Sequence, residues 1–172
     1  MGWLSDLWKY GFTPTQRARG RDAERFAHAL AAYEQELAAL SGPDARVAAE
    51  SVLAKPRFIR VVRWSAPPTP RRELAPALRA FFGSVQRVEG GEQELDAAEI
   101  ERLEWAPGYL RLGTDSEHTH LAIRPGDEAI YVLADDVPSA DRVESVFATV
   151  YHWVLWLERK GELLADSEPP AA

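Results

Sequence analysis

Apolar residues recur at helical spacing in two long stretches of this chain. From Asp22 to Leu40, the positions Phe26, Leu30, Tyr33, Leu37 and Leu40 step by four and three, which predicts an amphipathic helix stopped by Gly42-Pro43. From Asp141 to Gly161, Val143, Val146, Phe147, Val150, Val154 and Leu157 form a comparable stripe, and Tyr151, Trp153, Leu155 and Trp156 widen it almost around the cylinder. Asp141 and Glu144 are spaced as a capping box, Arg159 and Lys160 suit a last turn, and Gly161 suits a left-handed terminus. A helix apolar on so many sides needs a sheet on one side and a second element or partner on the other. His152, mid-helix among aromatics, reads first as a structural histidine bonded to a neighbour.

Shorter patterns fill the rest. Asp44–Ala54 predicts a second helix, and Arg57–Trp64 (RFIRVVRW) a strand whose arginines, three apart, point to both faces and so suit an edge. Ala66–Pro70 (APPTP) is neither regular helix nor inner strand, and it marks an expected boundary. Glu73–Phe82 predicts a short helix with Leu74, Leu78, Phe81 and Phe82 inward, followed by a strand over Ser84–Glu89 and a turn at Gly90-Gly91. Leu95–Trp105 reads as a short acidic helix burying Leu95, Ile100 and Leu103. Strands are expected at Tyr109–Gly113, His118–Arg124 and Ala129–Leu133, the last two as a hairpin around Pro125-Gly126-Asp127.

At the N-terminus, Trp3, Leu4, Leu7 and Trp8 fall on one helical face, a candidate docking helix followed by a polar linker, QRARGR. As a membrane-surface helix it lacks cationic support, since Lys9 is offset by Asp6. The elements describe an α+β fold: a small, mainly antiparallel sheet packed on helices, with an N-terminal helical extension. The expected division is residues 1–65 as extension with one strand, 66–165 as the α+β domain, and 166–172 as a disordered tail.

Charge changes the picture more than composition does. At 46% hydrophobic and 27% charged, the 172 residues support a globular core. With no cysteine there is no disulfide, thiolate metal site or cysteine nucleophile, which fits a cytoplasmic protein. No basic segment leads an apolar one as in a secretory signal, and Asp6 stands where a myristoylation motif wants Ser or Thr. Residues 55–88 carry eight basic groups against Glu73 alone, whereas residues 89–172 carry six against nineteen acidic ones. An acidic surface of that strength favours a cationic partner and argues against nucleic acid as the main ligand of this half.

Candidate chemistry is sparse. His118 and His120 share one side of a strand, a spacing able to chelate metal with Asp115 or Glu117 beside them. Without a third ligand at a fixed offset, no metal or cofactor is assigned. No phosphate loop, dinucleotide fingerprint, nucleophile elbow or metalloprotease helix occurs, so no catalytic residue is expected.

The order of parts nevertheless has a family likeness. PRRELAPALRAFFGS, then the GYLRLG strand with its TDSE turn, the strand pair ending in IYVL, and ESVFATVYHWVLWL resemble the SUKH superfamily over about residues 70–160. Bacterial immunity proteins and the yeast cell-wall-synthesis regulator contain this α+β domain. Phe82-Gly83-Ser84 stands where the family usually has Asn-Gly-Gly. The resemblance implies a non-enzymatic binding module, often a cytosolic antidote that covers a toxin. The acidic segment from residue 89 onward, read from its charge, supplies the expected contacts of such a module: Glu92, Glu94, Asp96, Glu99, Glu101, Glu104, Asp115, Glu117, Asp135 and Asp136. The alternatives are a scaffold docking through Trp3, Leu4, Leu7 and Trp8, and a metal enzyme at His118/His120.

Overall fold

The computed structural model describes residues 14–167. Helix α1 (Pro14–Ala39) begins with proline at its first turn. It runs through the expected linker, because Gln16, Arg17, Ala18, Arg19 and Arg21 are good helix formers and Gly20 alone costs about 1 kcal/mol. Helix α2 (Gly42–Ala54) is capped by Ser41, whose Oγ accepts the Asp44 N–H at 3.2 Å, and it buries Ala45, Ala49 and Leu53 at a spacing of four. The candidate docking helix Trp3–Phe12 lies outside the described residues, as does the tail from residue 168 onward; α4 covers 166 and 167.

Eight antiparallel strands follow: β1 (Arg60–Arg63), β2 (Val85–Gly90), β3 (Gln93–Asp96), β4 (Glu101–Arg102), β5 (Leu110–Ser116), β6 (Thr119–Ile123), β7 (Ile130–Ala134) and β8 (Val143–Phe147). Their order is β1-β2-β3-β5-β6-β7-β8, with β4 pairing β5, so the arginine-rich β1 is an edge strand, as its charge pattern predicted. Helix α3 (Pro76–Ser84) leads into β2 and buries Leu78, Phe81 and Phe82. The β6–β7 hairpin turns at Gly126, whose φ of +76° is one that glycine adopts without strain.

Two predicted helices are corrected. Leu95–Trp105 is the end of β3, a 3-10 turn (Ala97–Glu99) and β4. Gln93 and Leu95 are buried on either side of the half-buried Glu94, a period of two, because β3 pairs with β2 and β5; the Asp96 carboxylate, also buried, then caps the turn through the Ala98 N–H at 2.9 Å. The closing helix α4 is Val150–Ser167 rather than Asp141–Gly161. Val143 and Val146, expected in its core stripe, instead lie in β8 opposite Leu133 and Tyr131 and are 43% and 51% exposed. Thr149 caps α4, its Oγ accepting the N–H groups of Tyr151 (3.2 Å) and His152 (3.4 Å), so Asp141 and Glu144 have no capping role.

Gly161 does not end α4. A Cβ there would lie 2.6 Å from the Phe58 Cβ, so glycine lets the segment before β1 cross the helix closely. One turn earlier, the Glu158 carboxylate accepts the backbone N–H groups of Arg57 (3.1 Å) and Phe58 (3.2 and 3.3 Å).

All eight residues from Val150 to Leu157 are buried. Helix α4 packs on the sheet on one side and on α1 and α2 on the other, so the second covering layer belongs to the same chain. A single hydrophobic cluster joins Leu37, Ala49, Leu53 and Ile59 to Leu78, Val88, Leu121 and Trp153, spanning both sides of the proline loop at 66–70. On the outer sheet face, the loop after β4 folds back, packing Leu103 and Ala106 against Ala122 and Leu133 with Trp105, Tyr109 and Tyr131 around them.

Candidate binding surface

Strand direction decides where the acidic residues gather. Since β2, β5 and β7 run the same way in an antiparallel sheet, the turns that follow them emerge at one end. Gly91 (φ +57°) turns the chain and presents Glu92; Asp115 lies at the end of β5, accepting from the Thr119 hydroxyl at 3.0 Å, and the β5–β6 turn presents Glu117; the segment after β7 presents Asp135 and Asp136. Burial of the Lys160 ammonium, in the second half of α4 with its Nζ 5.0 Å from the Trp156 ring centre, lowers its pKa, while the charges of Asp115 and Glu92 oppose that shift.

The other expected contacts sit elsewhere. Glu94 belongs to an ion-pair ladder on the outer face, where Arg87 lies 3.8 Å from it and 3.6 Å from Glu89, which also pairs Arg60 at 3.2 Å. Asp96 is buried as a cap. Glu99, Glu101 and Glu104 follow β3 toward the opposite end, and Glu101 lies 3.5 Å from Arg111. One contiguous face of ten carboxylates therefore becomes a rim of five, with the remainder distributed.

At the rim, the histidine pair converges on a carboxylate. His120 Nε2 is 2.7 Å from one Asp135 oxygen and His118 Nδ1 is 3.4 Å from the other. Arg111 Nε–H donates to His120 Nδ1 at 3.1 Å, so that nitrogen is the acceptor and Nε2–H donates to Asp135. Arg111 also donates to Thr114 Oγ1 at 2.7 Å, and the Trp105 ring packs at a tilt of 52° against His120 with ring centres 5.4 Å apart. The hydrogen bond from His120 Nε2–H, with that from His118 beside it, holds the Asp135 carboxyl below the usual carboxylate range. Among the described residues, no group of three or more His, Asp or Glu side chains is arranged to hold a metal ion.

Sequence reading missed Arg111, Trp105 and Thr114 as neighbours of His120. Alternation along YLRLG already set Arg111 opposite in facing to Leu110 and Leu112, but its pairing with the histidine strand depended on register. No helix among the described residues is long and apolar enough to cross a membrane. Comparison with protein-family models, curated proteins and solved structures finds no match to this chain.

Proposed function

We propose that this chain is a non-enzymatic protein-binding module of the immunity or adaptor kind, cytoplasmic, which takes a cationic partner at the carboxylate-lined end of its sheet. The observation that carries this reading is the gathering of Glu92, Asp115, Glu117, Asp135 and Asp136 at one end of a sheet, in three turns and the strand end beside them. Each turn is anchored by a strand, so the charges are presented with little ordering cost on association. The excess of nineteen acidic over six basic groups in residues 89–172 adds a long-range field that speeds encounter with a basic surface. The SUKH-like order of parts points to the same class of activity.

The test is affinity capture from the source organism, together with co-purification against basic proteins encoded beside the gene. Binding kinetics follow for the wild type and for Glu92→Lys/Glu117→Lys/Asp136→Lys, whose side chains hold no other element in place. The variant is expected to associate about tenfold or more slowly and to lose most of its salt dependence. Equal association rates for the two proteins, or a captured partner with an acidic surface, remove this reading.

A further inference from the structure

The basic block of residues 55–88 is divided by the fold. Arg60 and Arg87 are neutralised on the outer sheet face by Glu89 and Glu94. Arg71 and Arg79 instead line a groove of about 590 Å³ at the end of the sheet away from the acidic rim. Arg79 is exposed and has no ion-pair partner among the described residues; Arg71 meets Glu73 at 3.5 Å in a pair so exposed that it contributes little.

The groove itself is apolar. Leu74 and Phe82 form buried parts of its lining, Ile100 lies beside them, and Pro67, Pro68 and Pro70 make a wall stiffened by their fixed φ angles. Trp64 is pinned by its Nε1–H, which donates to the Phe82 carbonyl at 2.8 Å, so an aromatic face is preorganised at the opening. Its volume falls in the range of sites that enclose a small ligand or a few side chains. The cations come from two segments, Arg71 from the end of the proline loop and Arg79 from α3. A complementary ligand combines an apolar side chain with flanking negative charge.

We propose that this groove docks an acidic peptide segment, with an apolar side chain of the segment inserted beside Trp64 and carboxylates on its flanks meeting Arg71 and Arg79. The site is separate from the acidic rim, so the protein has two poles able to hold unlike partners.

Gly83 supplies a clean test. It lines the groove, and a Cβ added there meets no atom within 4 Å, so Gly83→Leu adds apolar bulk at the groove with no clash at its Cβ. Fluorescence anisotropy is measured with a labelled Asp-Glu-Leu-Phe-Glu-Asp peptide against the wild type, Gly83→Leu and Arg71→Glu/Arg79→Glu, each checked for native circular dichroism. The wild type is expected to bind saturably, and each variant to bind about tenfold or more weakly, the loss expected for two rim charges or one blocked pocket. A peptide with glycines in place of Leu-Phe is expected not to bind. The proposal is overturned if the wild type does not bind, if either variant binds like the wild type, or if the glycine peptide binds equally. It is also overturned if light scattering shows self-association that Arg71→Glu/Arg79→Glu abolishes, since a second copy would then be the occupant.

Discussion

His152 on α4 donates its Nε2–H to the carbonyl of Leu40, at 3.0 Å, across 112 positions of chain. The proton assignment follows from Thr149. Its oxygen already accepts two backbone N–H groups, so its hydroxyl donates to His152 Nδ1 at 2.8 Å, which leaves the ring proton on Nε2. The ring is 3% exposed and both nitrogens are satisfied. It bolts the turn between α1 and α2 to the start of the closing helix, the structural role its position among aromatics suggested.

Replacing His152 by phenylalanine keeps the apolar bulk but strands the Leu40 carbonyl and the Thr149 hydroxyl. Chemical denaturation is expected to show a loss of about 2–4 kcal/mol, from two buried polar groups left unpaired. A change below about 0.5 kcal/mol, the size of an ordinary surface substitution, would show that the bolt carries no load.

Gly161→Ala tests the crossing of Phe58 over α4 by its sign. On an open helix this substitution stabilises by about 1 kcal/mol. Here the new methyl would lie 2.6 Å from Phe58 Cβ, and the backbone must separate. Destabilisation of about 1–3 kcal/mol is expected from the overpacking. Gly161→Ala that melts higher than the wild type would contradict the observed approach.

At Gly113 a Cβ would lie 1.7 Å from the Glu94 carbonyl oxygen, inside the β3–β5 pairing. No rotamer relieves a clash with a backbone atom. Gly113→Ala is expected to cost about 3 kcal/mol or more, at the extreme of single substitutions, and to lower soluble expression. Retention of wild-type melting would mean that β3 and β5 are not paired in this register.

The turn of the β6–β7 hairpin should weaken in acid. The hydrogen bond from Tyr131 Oη–H at 2.6 Å, and then the Ala129 N–H at 2.9 Å, hold the Asp127 carboxyl below its ordinary value of 3.8. A carboxyl depressed in the folded state contributes stability that is complete above its unfolded value and is lost as pH falls through the folded one. The stability difference between wild type and Asp127→Asn is therefore expected to be constant from about pH 7 to about pH 5 and to shrink below about pH 4. A difference that stays flat to about pH 2.5 would separate Asp127 from the acid response.

Much of the architecture is readable from residue order alone. The stepping apolar positions of α1, the break at Gly42-Pro43 with a second helix after it, the inward Leu78, Phe81 and Phe82 of α3, and the Pro125–Asp127 hairpin all express local chemistry that tertiary contacts leave intact. The α+β class and the edge position of the arginine strand follow from the same signals.

What the sequence could not settle was every choice between periods of two and of 3.6 in an apolar run. VESVF continued the stripe of α4 smoothly, yet its valines pair across β7, and only the partner strand distinguishes those outcomes. Leu95–Trp105 failed for the same reason: β3 exists because β2 and β5 flank it. The acidic residues illustrate the remaining gap. Their number was in the sequence, but whether each lies at the rim, in an ion-pair ladder or beneath the surface as a cap depends on strand direction and register, which belong to the assembled sheet.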